Sequence, residues 1–506
     1  MPAERLALAA LLALTLLRLA VAAATPLSPD EAYYWVWSRA LAPGYLDHPP
    51  MVALWIAAGT ALAGDGALGV RLLAPLAAAV GSLMLAQAAR DLLPRTLLPG
   101  DEPARRRAGL VAAALMNATL LFGIGSVTMT PDTPLLLFWT AVLWALGRLQ
   151  ATGRAGWWLA AGAAAGAAGA SKYTAALMLP GIALWTAMPA HRAWLRSWQF
   201  WAAIALALAL VAPVLAWNAE HDWVSLLKQA SRGGDPSLLR LLQFQAELFA
   251  GQLGLATPIV AVLAAAGIWA ALVRGTRDQP GWVLLAGLSA MPAVIFVLHA
   301  FGDRVQANWP GIIYPAACIA AAGLDARWQR WVRPGVALGL AMTAIVWVQA
   351  ALAPVALPMR LDPTLLRLGG WQALAGEVAA AARQQGAAFV ASDNYGHAAL
   401  LARLLPPDIE VIGLEGRWAL FRLPDAAAAL DGRPGLLLRS ARRDDRPDLR
   451  DWASLAPLAS LERARNGMTA EGFRLYHGIF RQGGEPAVAL PRPRWPPQGS
   501  DRNPHR

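Results

Sequence analysis

The sequence predicts an all-α polytopic membrane protein that ends in a small α/β domain. Of its 506 residues, 57% are hydrophobic and 15% are charged, which is far more apolar than a soluble domain. Apolar runs recur along the first two thirds of the chain, and each can cross the roughly 30 Å of bilayer hydrocarbon. From about residue 357 the chain becomes charged, with only short apolar segments. Buried core helices of a soluble protein would not need so many long apolar runs.

About eleven apolar segments are expected to be transmembrane helices. They are residues 5–24, 68–89, 108–127, 134–150, 156–170, 173–189, 199–217, 251–273, 281–299, 309–325 and 334–355. The first one resembles a signal peptide flanked by Arg5, but its apolar stretch is long, so we expect an uncleaved helix. The Gly/Ala-rich region from Trp157 to Met188 could be one bent helix or two helices. We expect two, with the break at Ser171 and Lys172.

Arginine placement orients these segments. Arginines cluster in alternate connections, and two spans between Trp157 and Met188 keep every cluster on one side, which the positive-inside tendency assigns to the cytoplasm. The loops at 25–67, 128–134, 218–250 and 300–308 and the tail from 357 then lie on the outer face. Membrane topology therefore explains the net charge of +11 without a nucleic-acid partner. The single cysteine, Cys318, lies in an apolar run and excludes a disulfide.

The tail is expected to fold as an α/β domain over residues 357–484. Ala387 to Ser392 and Gly435 to Arg439 are expected to be strands, and Gly370 to Arg383 and His397 to Leu405 are expected to be helices. Several prolines follow Glu485, so we expect residues 485–506 to be disordered.

The first outer loop carries two adjacent carboxylates, Asp30 and Glu31, directly after a span. A carboxylate at the rim of a low-dielectric cavity can act as a general base, and Asp30 could take the proton of an attacking hydroxyl group. The alternative is structural: Ser28 or Asp30 could cap an interfacial helix with Pro29 in its first turn.

Further along this loop lies Tyr45-Leu46-Asp47-His48-Pro49-Pro50. The prolines fix an extended backbone, so Asp47 and His48 are held in place. They could bind a metal or substrate, although two ligands are too few for a typical catalytic zinc site, and a structural turn is the alternative.

Another acid and a lysine are expected on the same face. Asp132 lies between prolines where two spans meet, so it could cap a helix or belong to a site. Lys172 is one of only two lysines; it could extend to the membrane interface, or it could bind a phosphate. Further outer-face cations are Arg304 and the pair Lys228 and Arg232. Acids beside cations suit transfer from a phosphate-linked donor.

Five motifs in order now suggest a family. They are Asp30-Glu31, Tyr45-Leu46-Asp47-His48-Pro49-Pro50, Thr130-Pro131-Asp132-Thr133-Pro134, Ser171-Lys172-Tyr173, and Trp217-Asn218 with Asp222-Trp223. Over about residues 1–330 the chain resembles the bacterial membrane glycosyltransferases related to protein O-mannosyltransferases and to the lipid A aminoarabinose transferase.

The resemblance implies a GT-C fold in the bacterial inner membrane. It also implies inverting transfer of a sugar, on the periplasmic side, from a polyprenyl-phosphate donor to a glycolipid, glycan or protein. Catalytic residues would be Asp30, Glu31 and Asp132, and Lys172 would hold the lipid phosphate. Other substrate-binding residues would be Tyr173, His48, Tyr45, Arg232 and Arg304. Asp47 falls where the aminoarabinose transferase has a metal-binding glutamate and His48 replaces its lysine, so a divalent metal at Asp47 stays an open expectation.

Two other functions compete with this interpretation. A transporter or flippase would place ionisable residues near the middle of its spans, whereas the candidate acids here lie at the outer ends. A lipid-linked oligosaccharide polymerase would use a larger donor.

Overall fold

The structure is a computed structural model that describes residues 2–94, 102–230, 237–275, 279–443, 445–483 and 486–494. The described residues form two compact units. The helical unit comprises Met1–Leu19, Leu46–Val52 and Leu73–Ile345. The α/β unit comprises Ala20–Tyr45, Ala53–Leu72 and Val346–Arg506.

The α-helices in chain order up to residue 352 are α1 Pro2–Ala24, α2 Pro29–Arg39, α3 Met51–Ala63, α4 Ala67–Arg71, α5 Leu73–Leu92, α6 Glu102–Asn117, α7 Leu120–Gly125, α8 Asp132–Thr152, α9 Trp157–Gly169, α10 Leu179–Ala187, α11 Trp198–Glu220, α12 Val224–Ala230, α13 Leu238–Leu255, α14 Pro258–Arg274, α15 Pro280–His299, α16 Tyr314–Ala322, α17 Ala326–Gln329 and α18 Val332–Leu352. Short 3₁₀ helices lie at Tyr173–Met178, Arg192–Arg196 and Trp309–Ile313.

Several of these helices can cross a membrane. Within the described residues, six are long and apolar enough: Glu4–Ala24, Ala67–Leu92, Asp132–Thr152, Trp198–Glu220, Pro280–His299 and Ala326–Leu352. The pair Leu238–Leu255 and Pro258–Arg274, bent by 108°, would make a seventh span. The prediction of about eleven spans therefore exceeds the number of described helices that are long and apolar enough to cross a membrane. The reason is that several predicted segments are broken into shorter helices.

The helix break expected at Ser171 and Lys172 is present. Helix α9 ends at Gly169, and Lys172 has an extended backbone with φ of −161°. The Ser171 hydroxyl donates to the carbonyl of Ala167, and such local bonds compete with the helical ladder. The chain then continues as a 3₁₀ helix, so Lys172 lies at a helix end.

Glycines let α9 pack closely on α11. A Cβ atom at Gly162 would lie 2.3 Å from the carbonyl oxygen of Ala203, and one at Gly166 would lie 2.9 Å from the Cα atom of Ala207. Small residues spaced four apart allow such approach between membrane helices. The glycines therefore position the helix that leads to Lys172.

The C-terminal part of the α/β unit is built on one six-stranded sheet with strand order β4-β5-β3-β1-β2-β6. The strands are β1 Phe389–Ser392, β2 Glu410–Gly413, β3 Pro434–Ser440, β4 Trp452–Arg465, β5 Met468–Phe480 and β6 Val488–Ala489. The accompanying helices are α19 Pro363–Leu368, α20 Trp371–Gln384, α21 Tyr395–Leu404 and α22 Ala427–Leu430, with a 3₁₀ helix at Gly416–Leu420. Strand β1 pairs in parallel with β2 and β3, and the other pairings are antiparallel.

Both strands and both helices expected in this domain are present with shifted ends, whereas the long β4–β5 hairpin was not expected. The ordered domain also extends past residue 484. Val488 and Ala489 lie in the segment expected to be disordered, but they pair with Gly413 and Ile412 of β2. Glu485 and residues 495–506 lie outside the described residues.

Candidate functional site

The start of α2 is fixed by a capping box. The backbone amide of Glu31 donates to the Ser28 hydroxyl, while the Ser28 backbone amide donates to a Glu31 carboxylate oxygen. Pro29 occupies the first turn, where its missing N–H has no intrahelical partner in any case. The helix start therefore places Asp30 and Glu31 in different surroundings.

Glu31 is fully buried and paired with Arg71. Its two carboxylate oxygens lie 2.6 and 2.7 Å from Nε and Nη2 of Arg71, which is itself 1% exposed as a side chain. The same guanidinium donates to the backbone carbonyls of Ala22, Thr25 and Pro26. Bidentate pairing of this kind is strong and directional. These contacts disagree with a catalytic Glu31 and give it a structural part in holding α2.

Asp30, in contrast, is accessible. Its side chain is 39% exposed, and Oδ1 accepts a hydrogen bond of 3.2 Å from the Tyr395 hydroxyl. Arg367 lies 3.7 Å from Oδ2 with 65% of its own side chain exposed. The guanidinium of Arg417 lies 3.9 Å from the centre of the Tyr395 ring, a cation–π contact that fixes the ring. A hydroxyl group and a solvated cation are thus among the partners of Asp30, whose side chain is partly exposed.

Tyr45 belongs to the core of the α/β unit. It is 2% exposed and stacks on Trp37 with ring centres 4.1 Å apart. Its hydroxyl donates to the carbonyl of Trp37 or Ala40 and accepts from the amide of Ala42. The expectation that Tyr45 binds substrate does not agree with these contacts, because its polar group is already satisfied in the interior.

The helical unit brings Asp132 and Lys172 together. Nζ of Lys172 lies 2.7 Å from Oδ1 of Asp132, and the Asn308 amide donates to Oδ2 at 2.7 Å. The Lys172 side chain is 6% exposed and that of Asp132 is 27% exposed. Lys172 also lies 5.9 Å from the centre of the Trp309 ring. Three helix ends therefore combine an acid, a cation and an amide at one place.

Beside Lys172, Tyr173 joins a second polar group. Its hydroxyl lies 2.7 Å from the Ser225 hydroxyl and accepts from the amide of Asn218 at 3.2 Å. The chain between these partners is strained, since Asp222 and Trp223 have φ of 52° and 57°. Such left-handed backbone costs on the order of 1–3 kcal/mol per residue outside glycine and is frequent at functional sites.

The Asp47 region forms an ion pair. Oδ1 of Asp47 lies 2.6 Å from Nζ of Lys228, and the Gln229 amide donates to the Asp47 carbonyl. His48 follows Asp47 and is half-buried. Among the described residues, no three His, Cys, Asp or Glu side chains lie close enough to hold a metal ion together. With an ammonium group already on Asp47, the donor set does not fit a metal centre made of protein ligands.

The remaining predicted cations are placed differently. Arg304 lies 2.6 Å from Glu247 and is 60% exposed, so its charge is neutralised locally. Arg232 lies outside the described residues.

Sequence reasoning missed Arg71, Tyr395 and Asn308 as partners of the acids. No sequence signal marks Arg71 or Tyr395. Asn308 directly precedes Trp309 and Pro310 at the start of a helix, and the other candidates at helix ends have the same kind of position. Asn218 was part of a family motif but carried no assigned role.

The fold and the site together define a class, the polytopic helical membrane proteins that carry an α/β unit and acid–cation pairs at helix ends. Residues 47–217 match the family described as dolichyl-phosphate-mannose-protein mannosyltransferase. The chain is 31% identical over 381 residues to a lipid A galacturonosyltransferase, RgtD, of Rhizobium johnstonii, covering 73% of this chain and 76% of that protein.

The fold is similar to that of ArnT from Cupriavidus metallidurans. The structure of ArnT bound to undecaprenyl phosphate matches with a TM-score of 0.61 at 14% identity, covering 94% of this chain and 98% of that chain. The apo structure of ArnT matches with a TM-score of 0.55 at 16% identity. The chain belongs to the GT-C membrane glycosyltransferases, and it is a bacterial membrane enzyme. This family membership favours a glycosyltransferase over a transporter or flippase.

Proposed function

We propose that the protein transfers a sugar from a polyprenyl-phosphate donor to a hydroxyl group of a glycolipid by inverting displacement. The observation that carries the proposal is the buried Lys172 ammonium, held by Asp132 at the junction of three helix ends. The ArnT structure with bound undecaprenyl phosphate supports the donor class. The relative that acts on lipid A supports a glycolipid of that kind as acceptor.

Lys172 would bind the donor's phosphate. An ammonium point charge pairs well with a phosphate oxygen, and the pair is stronger where water is largely excluded. Asp132, itself held by Asn308, keeps Lys172 in place before the donor arrives. As the bond between the sugar and the phosphate breaks, the phosphate gains a negative charge, and Lys172 stabilises that charge. Tyr173 lies next in the chain and would orient the donor through its hydroxyl group.

Asp30 would act as the general base. The acceptor hydroxyl gives its proton to the Asp30 carboxylate while its oxygen forms a bond to the anomeric carbon of the sugar. The bond from that carbon to the phosphate oxygen breaks in the same displacement, and polyprenyl phosphate leaves with the bonding electrons. Asp30 ends neutral and the phosphate ends with one more negative charge, so charge and protons balance. No covalent glycosyl-enzyme forms.

The site would face the periplasm. Arginines in the connections expected inside the cell support this orientation, as does the positive-inside tendency. The α/β domain of residues 357–484 would then also be periplasmic, and about eleven segments would cross the inner membrane.

The experiment that tests the proposal is a transfer assay with full-length protein in lipid nanodiscs. The donor is a short-chain polyprenyl-phosphate sugar, the acceptor is lipid A, and the product is identified by mass spectrometry. We expect a new glycosidic bond with inverted anomeric configuration and release of polyprenyl phosphate. Retained configuration would overturn the mechanism. Movement of the donor between leaflets of protein-containing vesicles, with no glycosidic product, would overturn the function.

A further inference from the structure

A cavity whose lining does not include Asp30 lies wholly within the α/β unit. Its volume is about 1200 Å³, at or above the upper end of ordinary small-molecule pockets. Part of its wall is apolar, formed by side chains that include Leu27, Ala57, Ala61 and Leu400. The rest carries four arginines, Arg39, Arg403, Arg465 and Arg494, together with Asp65.

The charges of this cavity do not balance. Arg39 pairs with Asp65 at 3.0 Å, and Arg465 donates to Asp362 at 2.8 Å. In the described part of the chain, those two carboxylates face four guanidinium groups of the lining. Among the described residues, Arg403 donates to a backbone carbonyl, that of Asp65, and lies 4.4 Å from the centre of the Trp35 ring.

Two of these guanidinium groups have N–H donors with no hydrogen-bond acceptor among the described residues. Nε of Arg39 and Nη1 of Arg403 are buried and make no hydrogen bond to the described residues. A buried donor without an acceptor costs about 1–3 kcal/mol. Burial lowers the pKa of Arg403 to about 10, and burial together with the nearby Arg494 lowers the pKa of Arg39. A bound anion would relieve the repulsion and accept from these groups.

We propose that this cavity binds the anionic saccharide head group of the acceptor glycolipid through its phosphate or carboxylate oxygens. The arginines suit oxyanions because the planar guanidinium group binds them in a bidentate manner. The apolar wall suits the part of the lipid next to the head group, and separated arginines suit a head group with more than one anionic substituent. This inference rests on the proposed function for its choice of ligand, and it assigns recognition of the acceptor to arginines other than the residues proposed for catalysis.

The test measures binding without catalysis. Full-length protein in phosphatidylcholine nanodiscs is titrated, with no donor present, with lipid A that bears both phosphates and with the same lipid A after phosphatase treatment. We expect the phosphorylated form to bind about tenfold more tightly, and Arg494→Gln and Arg403→Gln each to weaken its binding about fivefold or more. The matched control is Arg383→Gln, an exposed arginine of the same unit that pairs with Asp408, and it should bind within about twofold of wild type.

Arg494 is exposed, so its variant should fold even if the Arg403 variant does not. Equal binding of the two lipid A forms, or wild-type affinity in Arg494→Gln, would overturn the inference. Phosphatidylglycerol that competes as well as lipid A would overturn the choice of a saccharide head group.

The transfer assay distinguishes failure of the cavity proposal from failure of the proposed function. Sugar transfer with unchanged acceptor affinity in both arginine variants would reject the cavity and keep the function. Arginine-dependent binding of lipid A, with no transfer from any polyprenyl-phosphate sugar, would keep the cavity and reject the function.

Discussion

The ammonium group of Lys172 lies 2.7 Å from a carboxylate oxygen of Asp132, although 40 residues separate them in the chain. The other carboxylate oxygen is held by Asn308. Because Lys172 is almost buried and Asp132 is partly exposed, the pair presents a fixed cation at the edge of the protein interior. A donor phosphate that approaches Asp132 would compete for an ammonium group that is already oriented.

Lys172→Met should lower kcat/KM for the donor by about 100-fold or more, because it removes a charge that stabilises the leaving phosphate. Lys172→Arg should retain part of the activity, since it keeps the charge but changes its geometry. The measurement is initial transfer rate against donor concentration. The matched control is Lys228→Met, which removes the other lysine and its pair with Asp47. An equal loss in both variants would contradict a specific role for Lys172.

Asp132→Asn combined with Lys172→Met should cost little more than Lys172→Met alone. The two residues act as one unit, so their effects on transfer should not add. If the fold loss in transfer rate of the double variant equalled the product of the two single-variant losses, Asp132 would contact the substrates independently of Lys172.

Asp30→Asn should lower kcat about 100- to 10,000-fold, which is the usual contribution of a general base. The thermal unfolding temperature should change little, because the Asp30 side chain is 39% exposed and lies beside a solvated arginine. Transfer at the wild-type rate would reject Asp30 as the base.

Glu31→Gln should lower the stability of the protein and leave kcat almost unchanged, the reverse of the effects expected for Asp30→Asn. Removing one charge of a fully buried pair leaves Arg71 without its counterion, at a cost of about 3–5 kcal/mol. We therefore expect a lower unfolding temperature and less folded protein, with kcat per folded molecule within about twofold of wild type. Glu377→Gln, on the exposed face of α20, is the control for a neutralised glutamate. If Glu31→Gln kept the wild-type unfolding temperature but lost kcat, Glu31 would be a catalytic residue.

Sequence patterns predicted the candidate residues that lie at helix ends. Asp132 and Lys172 could be placed on one face because each follows or precedes an apolar segment, and the arginine pattern required a helix break at Lys172. The partners of the first-loop acids could not be predicted in this way. Tyr395 is 365 residues from Asp30, and Arg71 is 40 residues from Glu31, so only the folded chain reveals which acid is buried and which is accessible.

The predicted number of spans is not confirmed, for a related reason. Hydropathy identifies apolar segments, but it does not reveal where a segment breaks. Trp309–Ala322 begins as a 3₁₀ helix, and the pair α13 and α14 bends by 108° at Ala256 and Thr257. The β4–β5 hairpin was missed because β4 has mostly exposed residues and lacks a regular apolar alternation.

His397 should make the α/β unit sensitive to acid. It is buried against Trp371 and Phe473, and burial lowers its pKa to about 4, although Glu471 opposes this shift. Below pH 6.5 the unfolded chain binds a proton that the folded chain does not. Stability should therefore fall between about pH 6.5 and 4, by up to about 3 kcal/mol.

Thermal unfolding followed by tryptophan fluorescence from pH 7.5 to 4.5 measures this effect. Wild type should lose more stability over this range than His397→Gln, in which the titrating group is absent. Identical pH dependence in the two proteins would show that carboxylates alone cause the acid sensitivity.

Gly162→Ala should destabilise the helical unit, because the new Cβ atom would lie 2.3 Å from the carbonyl oxygen of Ala203 on α11. Backbone cannot move aside as a flexible side chain can, so α9 and α11 must separate, at a cost of about 1–3 kcal/mol. Gly156→Ala is the matched control, since its Cβ atom would meet no atom within 4 Å.

Both proteins are compared by unfolding temperature in detergent and by KM for the donor. Separation of the helices should raise KM as well, because α9 leads directly to Lys172. An unfolding temperature equal to that of Gly156→Ala would show that the two helices can part without cost, and that close packing does not position Lys172.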